Sequence, residues 1–247
     1  MAQLDEKMLL ARLKDLEHGA EHGGKPCFSR FLDPREMALF KRAMHPRQPF
    51  MLWGGYPDSE RQMLGFFPDY MEPVEDVFPI RALRLSAGEK LEHRTVLGSL
   101  MGLGIERNLI GDVAMEEEGA VIFVCESIAD FLLLNLTKAG RMRLHVSEAA
   151  ADSLAILPRQ FKIISGTVAS LRLDCVLGLL TGMSRSATEE LLKKEMVCVN
   201  HSICSRGAAL VSAGDVLSVR RFGRAEVAEI FGETKKGRIR INLKKYI

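Results

Sequence analysis

Leu171-Arg172-Leu173-Asp174-Cys175-Val176-Leu177-Gly178-Leu179-Leu180, followed by Ser184-Arg185-Ser186-Ala187-Thr188-Glu189-Glu190-Leu191-Leu192-Lys193-Lys194, is the stretch on which the fold turns. In the first run Leu173, Val176, Leu177 and Leu180 fall on one helical face, with Arg172 at its edge. Gly182 closes that helix as a left-handed cap. Ser184 caps a second helix, in which Ala187 and Leu191 turn inward while Arg185, Ser186, Glu189 and Lys193 share the outer half. The cap leaves free backbone N–H groups and a positive dipole end beside Arg185, a ready site for a phosphate. Outward from this pair, residues 197–200 read as a short strand, His201-Ser202 as a turn and residues 214–219 as another strand. Residues 226–231 and 238–243 read as a closing hairpin.

The charge is uneven. Residues 168–247 hold 14 Lys and Arg against 8 Asp and Glu, whereas the rest of the chain holds 20 against 24, so a formal charge of +2 conceals a basic third. That is the footprint of a nucleic-acid-binding module joined to a less basic body. Its projecting cations include Arg172, Arg185, Lys193, Lys194, Arg206, Arg220 and Arg221, with Lys244 and Lys245 near the end.

Upstream, residues 74–160 order as strand 80–85, helix 94–103, strands 109–115 and 120–125 about an acidic turn, helix 128–138 and strand 141–146. This β-α-β-β-α-β order is the split βαβ pattern of ferredoxin-like and RNA-recognition-motif folds. Such a sheet binds RNA by stacking bases on aromatics, and Phe123 is the only platform it offers. Residues 1–73 open with a helix in which Leu4, Met8, Leu9, Leu13 and Leu16 recur until Gly19. A second helix starts at Asp33-Pro34-Arg35-Glu36, where cap, first-turn proline and returning glutamate form a capping box. Residues 50–53 and 62–67 then form a hairpin, with Trp53 and its neighbouring aromatics in the core. Residues 149–155 read as a short helix or linker, and 161–167 as a strand. The expected fold is α+β in three domains: 1–73, 74–160 and 168–247.

At 247 residues and 47% apolar composition, the chain has no run of about 18 apolar residues and no secretory leader, so a cytoplasmic protein away from membranes is expected. The five cysteines are scattered without a C-x-x-C pair, which argues for free thiols rather than disulfides or zinc. His18 and His22 lie four apart with no third ligand in view, so no metal and no cofactor is expected. The G-x-G at Gly102–Gly104 sits at a helix end rather than after a strand, and neither a P-loop nor a nucleophile elbow occurs.

The set R-L-D at 172–174, S-R-S-A at 184–187, L-L-K-K at 191–194, V-x-V-N at 197–200 and G-D-V-L-x-V at 214–219 resembles the small-subunit ribosomal protein S-four type of RNA-binding domain, the αL motif. Trp53-Gly54-Gly55-Tyr56, Ser59-Glu60-Arg61 and the run from His93 to Asp112 extend the resemblance to the bacterial YlmH family, over nearly the whole chain. The resemblance implies a non-catalytic, ribosome-associated protein that binds ribosomal RNA and tRNA on the large subunit during rescue of stalled translation. Carried over to this sequence, Arg172, Ser184, Arg185, Ser186, Lys193, Lys194 and Asn200 are the expected RNA-contacting positions, joined by Arg206, Arg220 and Arg221 from the basic surface. Asn200 also suits a turn-stabilising role. Glu195 stands where the family usually has glycine, so the helix exit there is expected to differ locally. Nothing demands an oligomer, and a monomer is expected. Two other classes stay open: an RNA-modifying enzyme with a polar pocket in 74–160, and a scaffold with an exposed apolar patch in 1–73.

Overall fold

A computed structural model describes residues 2–117, 119–149, 161–234 and 237–246. The chain separates into two compact units, residues 1–157 and 158–247. The segment 150–160, including most of the expected linker, lies outside the described residues.

The first unit begins with α1 (Ala2–Gly23), which runs through Gly19 rather than stopping there. A Cβ at Gly19 would stand 3.2 Å from Cys27 Sγ, so this glycine serves close packing rather than termination. β1 (Cys27–Leu32) follows, and then α2 (Pro34–Ala43), whose capping box is complete: Asp33 accepts from the Glu36 amide at 2.9 Å and the Glu36 carboxylate from the Asp33 amide at 2.7 Å. β2 (Phe50–Trp53) and β3 (Gln62–Phe66) complete a three-stranded antiparallel sheet in the order β1-β3-β2. Leu13, Phe40, Leu64 and Phe66 are buried between this sheet and the helices.

The second sheet of the unit comprises β4 (Ile80–Ser86), β5 (Ile110–Glu116), β6 (Gly119–Cys125) and β9 (His145–Glu148), in the order β5-β6-β4-β9. With α3 (His93–Gly102) after its first strand and α4 (Glu126–Asn135) after its third, this is the split βαβ arrangement. The closing strand is shifted from its expected place. Within 141–146, Met142–Arg143 is β8, which pairs with β7 (Lys138–Ala139) in a separate two-stranded hairpin, and only residues 145–148 join the sheet beside β4.

Both faces of this sheet are covered. Leu83, Leu85, Ile122 and Val124 pack on one side with Val96 and Leu100 of α3 and Ala129 and Leu132 of α4. On the other side Val121 and Phe123 pack with Phe31 and Met63 of the first sheet and with Phe67 just after it. Phe123 is 0% exposed, and its ring is stacked on Tyr56 at 4.7 Å. The expected base-stacking platform is therefore closed, because an aromatic from the first sheet's hairpin loop already occupies it. Gly55 makes this approach possible: its φ is +97°, and a Cβ there would lie 2.4 Å from the Phe123 ring.

Asp112 locks the two sheets together. Its carboxylate accepts from the Tyr56 hydroxyl (2.7 Å), the Glu60 amide (2.6 Å) and the Arg61 amide (3.1 Å). Arg61 in turn donates to the carbonyls of Ile110 and Phe31, each at 3.1 Å. The Trp53–Arg61 and His93–Asp112 stretches thus meet as one structural clasp.

The second unit packs α5 (Leu173–Thr181) and α6 (Arg185–Lys193) on a six-stranded antiparallel sheet. Its strands are β10 (Phe161–Val168), β11 (Val197–Val199), β12 (Ser202–Ile203), β13 (Val216–Val219), β14 (Gly223–Glu233) and β15 (Ile239–Tyr246), ordered β10-β15-β14-β13-β11-β12. Leu173, Val176, Leu177 and Leu180 enter the core, as does Leu191 with Leu192. Thr188 is buried in the inward face of α6, while Ala187 is only half-buried. Gly182 takes its expected left-handed conformation at φ +71°. Glu195 does the same at φ +53°, with its amide bonded to the Leu192 carbonyl and that of Met196 to the Leu191 carbonyl. The helix exit therefore keeps the turn that glycine would permit, and the glutamate bears the steric cost.

All five cysteines are free. Burial pushes the Cys125 thiol up to about 11, so it stays protonated within the core at neutral pH.

Two stability outcomes are expected. Replacing Glu195→Gly relieves the left-handed strain, and the second unit should gain about 1 kcal/mol in denaturant unfolding. Asp112→Ala leaves three donors without their charged acceptor, and the first unit should lose about 2–4 kcal/mol while the second is unchanged. Hydrogen exchange resolved by unit separates the two effects.

Candidate nucleic-acid interface

The basic residues of the second unit are organised about α6. At its N-terminus Ser184 Oγ accepts from the Ala187 amide at 3.4 Å and lies 3.1 Å from Ser186 Oγ. The Ser184 carbonyl takes the Thr188 amide at 3.0 Å. The amides of Arg185 and Ser186 are the first of the helix, at the positive end of its dipole, and both side chains are exposed.

Asp174 organises this end. It is 5% exposed, at the start of α5, and accepts a two-point ion pair from Arg172: Nε to Oδ1 at 3.1 Å and Nη2 to Oδ2 at 2.7 Å. Arg185 Nη2 lies 3.9 Å from the same Oδ2. Two guanidiniums, one from the residue that caps α5 and one from the first turn of α6, thus converge on one carboxylate, with Arg185 itself 75% exposed and further tied to Glu189 at 3.6 Å. The Arg172 hydrogen bond holds the Asp174 carboxyl below the usual carboxylate range, and Asp174 raises the Arg172 guanidinium in turn. The Asp174 amide donates to the Gly207 carbonyl at 3.1 Å, which brings the loop carrying exposed Arg206 to the same end of α5.

A second group lies at the other end of α6, about 14 Å away by helix rise. Lys193 and Lys194 are exposed there, with Lys194 Nζ bonded to Glu190 at 3.1 Å. The Arg220 amide donates to the Met196 carbonyl at 2.9 Å, which sets the β13–β14 turn, with Arg220 and Arg221 exposed, against that helix exit. Arg172, Ser184, Arg185, Ser186 and Arg206 therefore form one cluster, and Lys193, Lys194, Arg220 and Arg221 another. Such a pair of cationic sites, one capped by a helix N-terminus, suits two phosphates of a nucleic-acid backbone.

Asn200 is held in a turn. Its Nδ2 donates to Asp215 Oδ1 at 2.7 Å, its Oδ1 accepts from the Val216 amide at 2.9 Å, and its φ is +47°. The amide fixes the turn after β11 to the start of β13.

Sequence reasoning gave Asp174 no role of its own. The available signal was a carboxylate on the first turn of an apolar helix, two residues after an arginine. His18 and His22 also gain a neighbour that the spacing argument overlooked: Glu21 brings ligand atoms of all three residues within 4.8 Å of one another, on an exposed turn of α1. The histidine rings are 4.0 Å apart, and His22 Nδ1 is 3.1 Å from the His18 carbonyl.

The first unit has a groove lined by Trp53, Glu75, Asp76, Phe78, Arg81 and Glu148. It holds three carboxylates against one guanidinium, and Arg81 is already paired with Glu148 and with Asp130 at 2.6 Å. Its field opposes a phosphate. Among the described residues no helix is long and apolar enough to cross a membrane.

Residues 73–153 match a family model described as "Putative RNA-binding domain in YlmH". Over 245 residues the chain is 33% identical to a Bacillus subtilis (strain 168) protein named ribosome-associated protein quality control protein P2, covering 98% of this chain and 95% of that one. A solved structure named cell division protein ylmH, from Streptococcus pneumoniae, aligns with a TM-score of 0.52 at 24% identity, over 59% of this chain and 92% of that one. The near-complete match at this identity, together with the domain model on residues 73–153, makes this chain a member of the YlmH family.

Proposed function

We propose that this protein binds RNA on the ribosome without catalysing a reaction, acting in the quality control of stalled translation. Its targets are ribosomal RNA and tRNA on the large subunit, and it works in the cytoplasm as a monomer. The observation that carries the reading is the convergence of Arg172 and Arg185 on Asp174 beside the N-terminus of α6. Arginine held in a fixed plane grips two oxygens of one phosphate, which a mobile lysine does not. The B. subtilis relative, by its printed name, is ribosome-associated and acts in protein quality control, and the family model names an RNA-binding domain. The three-domain division at 73/74 and about 160 belongs to this reading: each part supplies one contact, and the αL module supplies the anchor.

The mechanism is positioning. Phosphates dock at the two ends of α6, and the spacing of the clusters sets the register of the module on its RNA. Asp174 keeps Arg172 pre-aligned and draws Arg185 towards it, so less side-chain entropy is lost when RNA binds.

Arg172→Ala with Arg185→Ala should weaken binding to purified large subunits about tenfold and reduce the slope of log affinity against log salt by about 1.5–2. Co-sedimentation across a salt series reads both numbers; an unchanged slope removes these arginines from the interface. Asp174 carries a sign-defined pH effect. Its folded carboxyl titrates below the unfolded value, so its stabilisation is complete above the ordinary carboxylate range and is lost as pH falls through the folded value. The protection factors of the α5 amides, measured by hydrogen exchange and corrected for intrinsic rate, should therefore fall at acid pH in the wild type, and Asp174→Asn should flatten that limb.

A further inference from the structure

The family reading names an RNA-binding domain at residues 73–153 without saying where on it RNA sits. The surface an RNA-recognition motif would use is closed, since Phe123 is fully buried and stacked on Tyr56. We propose that this domain binds the RNA backbone through the hairpin β7–β8 and the adjoining start of α3, with Arg94, Lys138, Arg141 and Arg143 as phosphate contacts. This inference rests on the RNA-binding reading and supplies its second surface.

The hairpin is seated on α3: the Gly140 amide donates to Ser99 Oγ at 3.2 Å, and a Cβ on Gly140 would lie 3.0 Å from Thr95 Cγ2. That seats the hairpin turn, which carries Arg141 next to Gly140, against α3 at Thr95 and Ser99, and Thr95 adjoins Arg94 in the chain. In the ladder Ala139 faces Met142 on the buried side, and Lys138 is the direct partner of Arg143 on the solvent side. Like charges directly opposite one another destabilise a strand pair, and a two-stranded hairpin has little stability to spare. Residues 138–147 hold three Lys and Arg and no carboxylate.

The arginines on the unit's other strands are placed differently. Arg81 is paired with Asp130 and Glu148, Arg84 with Glu116 and Arg30 with Glu106. Arg94, Lys138, Arg141 and Arg143 are all exposed, and no described carboxylate stands within ion-pair distance of any of them. A hairpin that opposes two cations on a packed scaffold, in a unit that neutralises its other sheet arginines, is complementary to a polyanion. Met142 and Leu144 are half-buried, so the tip presents charge rather than an apolar wedge.

The test uses the full chain carrying Arg94→Ala, Lys138→Ala, Arg141→Ala and Arg143→Ala, and separately Lys138→Glu. Binding is measured to large subunits, to their deproteinised RNA and to bulk tRNA across a salt series. The fourfold variant should lose about tenfold or more in affinity for at least one of the RNAs, with a salt slope shallower by about two to three. Lys138→Glu should weaken the same binding while leaving the thermal midpoint equal or higher, because the introduced carboxylate would face Arg143 as an ion pair; a merely structural role predicts no loss of binding. Unchanged affinity and slope in both variants, with the Arg172/Arg185 double variant impaired, overturns the hairpin site and leaves the αL reading standing. If the double variant is also unchanged, that reading falls with it. Loss on whole subunits alone, with both free RNAs bound normally, would assign the hairpin to a ribosomal protein and overturn the proposal.

Discussion

The burial of Phe123 beneath Tyr56 governs what the first unit can do. A four-stranded sheet with helices on one face leaves its other face either for a ligand or for a partner layer. Here the partner layer is the first sheet of the same unit, held down by the Asp112 carboxylate through Tyr56 and the amides of Glu60 and Arg61. An offset aromatic pair contributes about 0.5–1.5 kcal/mol beyond its burial, and charged hydrogen bonds add to that. Opening the face for a base would forfeit these contacts together with the apolar burial beneath them. The unit therefore carries the topology of a base-stacking fold with its base-stacking face closed.

The second unit solves a related problem with the opposite sign. Cations gathered on one surface repel one another and wander when free. A nearly buried Asp174 offsets part of that repulsion and fixes the plane of Arg172 through a two-point ion pair, with Arg185 3.9 Å from the same carboxylate. The carboxylate sits at the start of α5, where the helix dipole favours it, so the same residue satisfies the fold and orders the surface. An acid within a basic patch is thus consistent with anion binding, provided it is buried and the arginines above it are not.

Much of this was legible in the residues. Asp33-Pro34-Arg35-Glu36 specified a helix start, Gly182 a helix stop, and the apolar spacing of 173–180 a core face, because these signals are local and each has one physical solution. The β-α-β-β-α-β order was equally readable. What escaped were features set by partners distant in sequence. β1 was missed because Ser29 and Arg30 interrupt its alternation, and its pairing with β3 shifts between Phe28 and Phe31. The alternating residues 141–146 looked like one strand, yet the period runs unchanged from β8 to β9 while the partner changes. Gly19 looked like a helix end because nothing local reveals Cys27 against it. Phe123 looked like a platform because its cover comes from residue 56.

Charge followed the same division. The sequence lists arginines, and composition alone ranks the last third as the basic region. Pairing changes that ranking. Arg81 and Arg84 are cations whose charge is answered within the unit, whereas Lys138 and Arg143 stand opposite each other without a described counter-ion in a segment that carries no acid. A solvated salt-bridge face and a polyanion-binding face can have equal composition, and what separates them is whether the chain supplies its own carboxylates at contact distance. By that criterion the acidic body of this chain contains a basic patch, at residues 138–143, that a count of charges averages away.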